Sequence, residues 1–237
     1  MTRYLSIAIV ALAVLGAACS TKTTEANASI DEPFTRVIVT TAAGDVQIER
    51  TTGTPEWLAE ATYSGTEPDF EPRVVDGELI VNEGCQGVGE CSVAYLLSVP
   101  EGTEVVARTA SGSVTITSIS AAVDVETSSG TVFLNTVNGT ITAISASGDI
   151  LGAKLESATA TFNSASGSID VSFHAIITNL LAESSSGNIT AQLPGDSYNL
   201  DVDAGSGALD LSIDDDETSI YMVTLKTSSG DITIYKQ

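Results

Sequence analysis

Short alternations of apolar and polar residues restart at nearly constant intervals along the chain, each just after a glycine. From the second of these glycines onward the spacings are 18, 18, 19, 20, 20 and 23 residues, and a serine precedes each glycine. A Val, Ile or Leu lies two residues after every one of them. Period-two alternation rich in β-branched residues predicts short β-strands. The glycines are Gly44, Gly112, Gly130, Gly148, Gly167, Gly187, Gly207 and Gly230.

A second alternation follows about ten residues later in each unit, as in Val123-x-Val125, Ile141-x-Ala143 and Leu200-x-Val202. Each unit is therefore predicted to contain two strands and two corners. A unit of this length cannot bury its apolar face alone, but it can when stacked on its neighbours. The sequence thus predicts an all-β fold, a single-stranded β-solenoid (β-helix) with about 18–20 residues per coil, taken to be right-handed. An antiparallel sandwich or barrel is the rival, but it does not require constant spacing with the same corner residues.

The corner glycines are interpreted as positions that need a sharp turn or a positive φ, which glycine adopts without steric cost. The serine before each glycine can hydrogen-bond the local backbone. Four residues after most of these glycines lies another apolar residue. The exception is Gly152, which follows Gly148.

Residues 33–237 are interpreted as one solenoid, with an irregular capped start at 33–100 and regular repeats at 101–237. The capped start contains the single tryptophan, Trp57. At the other end the sequence GDITIYKQ (Gly230 to Gln237) stops in mid-coil, and the charge of Lys236 is expected to protect that edge from pairing. Strands in the capped start are predicted at Phe34–Thr41, Asp45–Glu49, Glu56–Tyr63, Glu78–Asn82 and Ser92–Val99.

The N-terminus has the features of a targeting segment. Arg3 precedes an apolar run from Leu5 to Leu15, which is too short to span a membrane comfortably. The following residues, through Ala18-Cys19, resemble the lipobox of a bacterial lipoprotein, with Gly16 in place of the usual larger aliphatic residue. That resemblance implies a signal peptide at 1–18 and a lipidated Cys19, and an ordinary cleaved secretory peptide is the alternative. The lipidated cysteine and the polar segment after it, 19–32, are predicted to be a flexible tether.

The composition excludes some classes of partner. Nine basic residues against 31 acidic ones give a net charge of −22, whereas nucleic-acid binding depends on Lys and Arg. The same imbalance argues against docking on anionic lipid through a basic patch. A hydrophobic content of 43% is too high for a disordered chain.

Two cysteines remain after the N-terminal one, Cys85 and Cys91, in the sequence GCQGVGECS. In an exported protein this pair predicts a disulfide that closes a small loop. Two thiols with no histidine nearby make a poor metal site.

The sequence contains no catalytic motif, and no cofactor is predicted. The single histidine, His174, is interpreted as a surface or corner residue. Asp170 and Asp210 each lie three residues after a corner glycine, which suggests a polysaccharide hydrolase or lyase with paired carboxylates as the alternative function. Aromatic residues for sugar stacking are sparse, and no catalytic residue is assigned.

The acidic run Asp214, Asp215, Asp216 and Glu217 is the candidate metal site, because Ca²⁺ prefers several oxygen ligands. A charged run of this kind is more often a solvated loop, and the chain lacks an EF-hand loop. No metal is assigned.

The corner sequences SSGTVFL, ASGDI, SSGNIT and SSGDITI resemble the bacterial putative-adhesin family of β-strand-repeat lipoproteins of unknown function. The stretch CSVAYLLSVPEG (Cys91 to Gly102) resembles the entry to that repeat. The resemblance covers roughly Phe34 to Gln237 and implies a β-solenoid fold and an envelope location.

These observations favour a non-enzymatic lipoprotein, anchored by lipid to the outer membrane or cell surface, whose rigid solenoid is an adhesion or interaction scaffold. Its partner is expected to be an envelope protein, a cell-wall polymer or a second copy. A purely structural lipoprotein is the other alternative. The surface expected to make contact consists of outward polar residues in flat rows: Thr115, Thr131, Asn135, Thr140, Thr142, Asn188 and Thr190.

Overall fold

The computed structural model describes residues 21–85, 89–195 and 197–237. They form β-strands joined by turns and short loops, and no helix occurs in these three ranges, so none there could span a membrane. The all-β fold is confirmed. The strands are β1 (Lys22–Ser29), β2 (Arg36–Thr41), β3 (Val46–Arg50), β4 (Glu56–Tyr63), β5 (Arg73–Val75), β6 (Glu78–Asn82), β7 (Cys91–Val99), β8 (Glu104–Thr109), β9 (Val114–Thr117), β10 (Val123–Thr127), β11 (Val132–Asn135), β12 (Ile141–Ser145), β13 (Ile150–Leu155), β14 (Thr159–Ser164), β15 (Ile169–Phe173), β16 (Asn179–Ser184), β17 (Ile189–Leu193), β18 (Ser197–Asp203), β19 (Leu209–Leu211), β20 (Asp214–Asp215), β21 (Met222–Thr227) and β22 (Ile232–Lys236).

The strands lie in two sheets that face each other across one core. From β8 to β17 the chain alternates between the sheets, and each strand as far as β15 pairs in parallel with the one that follows two strands later. Val114 lies beside Val132, and Val132 beside Ile150, so each coil stacks in register on the previous one. The order in sheet A is β1-β4-β7-β3-β9-β11-β13-β15-β17-β22-β19, and that in sheet B is β20-β18-β21-β16-β14-β12-β10-β8-β2-β6-β5.

The core is a continuous column of aliphatic side chains between the two sheets. Inward residues such as Val114, Leu134 and Ile150 are fully buried, and the same cluster extends from Ala26 to Ile234. The strands of 33–100 belong to these sheets, and the five strands predicted there are confirmed within two residues at each end. The antiparallel arrangement considered as a rival is limited to the pairs β1–β4, β4–β7 and β5–β6.

The corner glycines form a column, but the reason differs from the expected one. Of the eight, only Gly44 has a positive φ, +116°. A Cβ added to Gly130 would lie 1.8 Å from the carbonyl oxygen of Gly112, and one added to Gly187 would lie 2.1 Å from that of Gly167. Glycine is therefore required because successive corners approach each other too closely for a side chain.

The coil between Gly148 and Gly167 contains one residue more than the coil before it, and a β-bulge in β13 accounts for the difference. The register with β15 shifts between Gly152 and Leu155, and Lys154 has a φ of 53°. A Cβ at Gly152 would lie 2.8 Å from the Cδ1 atom of Leu155. The bulge thus brings Leu155 into the core, where it fills the space that the missing side chain leaves.

The C-terminal end departs from chain order. Strands β21 and β22 lie between the coil of β16–β17 and the coil of β18–β19, so Gly230 stacks on Gly187 and Gly207 stacks on Gly230. The expectation that the chain stops at an edge guarded by Lys236 is wrong. The long segment between Gly207 and Gly230 carries the chain around the outermost coil and back into the stack.

The N-terminal end is capped by a similar departure. The coil of β2–β3 lies between that of β6–β7 and that of β8–β9. The predicted flexible tether is wrong where the structure describes it, because β1 (Lys22–Ser29) pairs antiparallel with β4 over its whole length. Because alternate side chains of β1 point to opposite faces of the sheet, Ala26 is buried against the core. Just after β1, Ile30 donates its N–H to the carbonyl oxygen of Pro55 at 2.8 Å.

Two further predictions concern the cysteines. Cys85 and Cys91 form a disulfide with their Cα atoms 6.0 Å apart, as expected. The predicted signal peptide, 1–18, and the predicted lipidation site, Cys19, lie outside the described residues.

Candidate interaction surfaces

The outer faces of the two sheets are mixed, not uniformly polar. On sheet A the strand register aligns polar and apolar side chains in one row: Gln47, Thr115, Phe133, Leu151, Asp170, Thr190, Thr233 and Asp210. The outward polar residues that were expected to form one contact surface lie in different parts of the fold. Thr115, Asn135 and Thr190 lie in strands of sheet A, Thr142 lies in sheet B, and Thr131, Thr140 and Asn188 lie at corners. The structure therefore does not bring these residues together on one face.

A groove runs along one corner of sheet B and has a volume of about 510 Å³. Four residues on adjacent strands line it in register, in the order Asn163, Glu183, Lys226 and Asp203. We call these four the groove row. Ser164, Ser184, Ser185, Gly205, Thr227 and Ser228 complete the lining. Sequence analysis missed this site because Lys226 stands between Glu183 and Asp203 only as a result of the reversed coil order at the C-terminal end.

The groove row is electrostatically mixed. The Nζ atom of Lys226 lies 2.7 Å from an Asp201 carboxylate oxygen, and this hydrogen bond raises the pKa of the lysine. The negative charges of Glu183 and Asp203 act in the same direction. The lysine therefore stays protonated at neutral pH, and the groove presents a cation between acids together with amide and hydroxyl groups.

A second pattern missed by sequence analysis is a column of buried hydroxyl groups beside the glycine column. Ser184 accepts a hydrogen bond from the Gly187 N–H at 2.9 Å, and Ser164 accepts one from the Gly167 N–H at 2.8 Å. The signal is a Ser or Thr three residues before each corner glycine, at Thr41, Thr109, Thr127, Ser145, Ser164, Ser184 and Thr227. All seven are buried, whereas the serines directly before the glycines are exposed. The outermost coil departs from the pattern with Ala204.

The carboxylates proposed for sugar cleavage do not form a pair. Asp170 lies beside Thr190, Thr190 beside Thr233, and Thr233 beside Asp210. Three strand steps separate the two aspartates by about 14 Å, beyond the distance that either hydrolytic mechanism uses. The geometric basis of that alternative is therefore absent. His174 lies exposed at a corner between β15 and β16.

The acidic run does not converge on a metal site. The Asp215 carboxylate accepts a hydrogen bond from the Leu200 N–H at 3.0 Å, and Asp216 accepts two from Thr218. These bonds lower the pKa of Asp216. In the part of the chain that the structure describes, no group of three or more His, Cys, Asp or Glu side chains is arranged to hold a metal ion.

Solved bacterial structures are similar to this chain at low identity. They include a putative cell adhesion protein from Clostridium sporogenes (TM-score 0.46, 15% identity, covering 91% of this chain and 100% of that one). A putative adhesin from Bacteroides fragilis (0.47, 16%, 93% and 100%) and one from Parabacteroides distasonis (0.43, 13%, 92% and 98%) are also similar.

No curated protein matches the sequence. The model of one family, Toastrack DUF4097, matches residues 20–193 and 174–237. These two matches overlap and together include all of the described strands. The chain belongs to the Toastrack DUF4097 family.

Proposed function

We propose that the protein is a non-enzymatic, envelope-anchored lipoprotein whose stacked coils serve as an interaction scaffold, with the groove row as its contact site for a cell-wall glycan. The observation that carries this proposal is the in-register alignment of Asn163, Glu183, Lys226 and Asp203 along a groove. Amide, carboxylate and ammonium groups together offer the donors and acceptors that sugar hydroxyl groups need.

Rigidity supports this proposal. Strands β14, β16 and β21 each pair with a neighbour on both sides. β18 pairs with β21 over Asn199–Asp203 and with β20 at its first two residues. Side chains held at a strand spacing of about 4.8 Å lose little further freedom when a polymer binds. An extended polymer also fits a row of four side chains at strand spacing better than a compact ligand does.

The lipid anchor is the second part of the proposal. It depends on the resemblance of the segment before Cys19 to a lipobox, and several acyl chains would hold the protein stably on a membrane. Labelling of expressing cells with a palmitate analogue tests this part. We expect label on the protein and none on a Cys19→Ser variant; equal labelling of both would contradict it.

The handedness of the coil is proposed to be right-handed. Parallel strands of one sheet joined by a crossover are right-handed in the great majority of proteins, because of the twist of the strands.

Co-sedimentation of the full-length protein with insoluble cell-wall polymer tests the contact site. We expect sedimentation with the polymer and its loss in an Asn163→Ala/Glu183→Ala double variant. The matched control is Thr115→Ala/Thr190→Ala, which removes polar groups from the outer face of sheet A. Equal sedimentation of the wild type and the groove variant would overturn the proposal.

A further inference from the structure

We infer that the C-terminal end of the stack binds an extended peptide in which apolar and basic residues alternate, by adding it as a strand to β19. This inference goes beyond the proposed glycan contact, because it concerns the end of sheet A and a different class of partner.

The edge strand has unused pairing capacity. β19 is the last strand of sheet A, with β22 as its one neighbour in the described sheet. Ala208 accepts from the Ile232 N–H at 2.9 Å, and Ser212 donates to the carbonyl oxygen of Ile234 at 2.8 Å. In this parallel register, residues 208, 210 and 212 face β22, so Leu209 and Leu211 direct their backbone N–H and C=O groups to the open edge.

The side chains of the same two residues form the exposed end of the core column. Leu209 lies beside Ile232, and Leu211 beside Ile234. Ile232 and Ile234 are fully buried, whereas Leu209 is 50% exposed and Leu211 is 41% exposed, because none of the described coils covers them. An added strand with apolar residues at alternate positions would extend the column by one layer.

Proteins usually protect such an edge with lysine, proline, a bulge or a covering loop. β19 has the sequence Leu-Asp-Leu, and Asp210 lies in the outward row of sheet A. An edge with exposed pairing groups and exposed leucines is suited to strand addition, the way many extended peptides are recognised.

Charge selects the partner. The segment 197–221 contains seven acidic residues and no Lys or Arg: Asp201, Asp203, Asp210, Asp214, Asp215, Asp216 and Glu217. A second copy joined through the same end would oppose acids with acids, even though Lys226 pairs with Asp201. The opposite end of the stack is also acidic, since the segments 22–29 and 65–77 contain five acids and two basic residues. Complementarity therefore favours a basic strand over a second copy.

The experiment measures binding of a fluorescent peptide of alternating Lys and Val to the full-length protein by anisotropy. We expect saturable binding, weaker binding of an alternating Glu-Val peptide, and weaker binding of a peptide with the same Lys and Val in two blocks. Hydrogen exchange should show that the Leu209 and Leu211 amides become protected when the Lys-Val peptide binds.

Two variants locate the site. Leu211→Pro removes an N–H that faces the open edge, a position where a strand tolerates proline, and should weaken binding about tenfold or more. Leu209→Asn should weaken it by removing apolar contact. The control, Leu58→Asn, changes an exposed leucine of β4 at the other end and should leave binding unchanged.

Equal binding by the wild type and both edge variants would overturn the inference, as would equal affinity for the Lys-Val and Glu-Val peptides. A wild-type dimer that Leu211→Pro dissociates would also overturn it, in favour of a second copy. Co-sedimentation of the edge variants with cell-wall polymer should equal that of the wild type, which separates this test from that of the groove row.

Discussion

The hydroxyl group of Ser184 donates a hydrogen bond to the carbonyl oxygen of Gly167, one coil earlier, at 3.0 Å. The same oxygen of Ser184 accepts from the N–H of Gly187 at 2.9 Å. One buried side chain therefore links the corner of its own coil to the corner of the previous one. Ser164 and Thr227 make the same type of bond, to Gly148 at 3.3 Å and to Gly187 at 3.0 Å.

Removal of this hydroxyl should destabilise the fold. Ser184→Ala leaves a buried N–H of Gly187 and a carbonyl group of Gly167 without this partner, which should cost about 1–3 kcal/mol. The control is Ser186→Ala, directly before the glycine, where the side chain is exposed and the change should stay within about 0.5 kcal/mol. Urea unfolding of both variants measures the difference, and equal stabilities would contradict the role given to the buried hydroxyl.

A second prediction concerns the column of corner glycines. Gly187→Ala would place a Cβ 2.1 Å from the carbonyl oxygen of Gly167, so adjacent coils must separate. We expect a loss of about 3 kcal/mol or more in the free energy of unfolding. Gly53→Ala is the control, because a Cβ there would lie 3.5 Å from the hydroxyl oxygen of Thr51 and Gly53 has no positive φ. A Gly187→Ala protein as stable as Gly53→Ala would show that the corners are not tightly packed.

At the far ends of the sheet A strands, non-glycine residues with positive φ form a column. Ser118, Thr136 and Lys154 have φ values of 60°, 56° and 53°, and the strand register stacks them. Thr136 is β-branched and disfavours this conformation, which asparagine tolerates. Thr136→Asn should therefore raise the free energy of unfolding by about 0.5–1 kcal/mol. Thermal melts check this gain, and Thr140→Asn, at an exposed site without positive φ, should show none.

The sequence predicted the strands well because the apolar alternation acts locally, and it predicted their stacking because the close contact between successive corner glycines recurs once per coil. Gly112 to Gly187 recur at nearly the coil length, so coil stacking followed directly from their spacing. The order of the last two coils did not follow from the spacing. The long interval before Gly230 indicates a larger insertion, and spacing alone does not reveal that the chain turns back between two existing coils.

The contact surfaces were harder to predict for a related reason. Glu183 and Asp203 are 20 residues apart and resemble neighbours in successive coils, yet β21 separates them and places Lys226 in the groove row. β1 was missed because its polar sequence resembles a tether. Its pairing with β4 depends on an edge formed by residues much later in the chain.

The reversed order of the last coils predicts an unusual effect of truncation. Deletion of residues 222–237 removes β21 and β22, which lie inside the stack, and leaves β18 and β19 without the strands that hold them. Hydrogen exchange should become fast at the amides of Asn199 and Asp201, which face β21, while β12 stays protected. If the deletion left the amides of β18 protected, the coil of β18–β19 would have to pair directly with that of β16–β17.

Tyr95 links the N-terminal cap to the stack and gives it a pH dependence. Its hydroxyl shares one proton between the carbonyl oxygens of Phe70 at 2.9 Å and Asn82 at 2.8 Å. Burial, together with the nearby charges of Glu83 and Asp69, raises its pKa. The unfolded chain therefore ionises this tyrosine first, at about pH 10, and the folded state loses stability as the pH rises further. Tyr95→Phe should be about 1–3 kcal/mol less stable near neutral pH.

Urea unfolding at about pH 8 and about pH 11 checks the sign of this effect, because tyrosine ionises between these values. Between these two pH values the Tyr95→Phe variant should lose less stability than the wild type. Phenylalanine has no proton to release, so the ionisation that favours the unfolded chain is absent from the variant. Tyr235→Phe is the matched control, because it makes the same substitution at an exposed position of β22. If the wild type and Tyr95→Phe lost equal stability over this range, the hydroxyl of Tyr95 would not be the group that makes the cap sensitive to alkali.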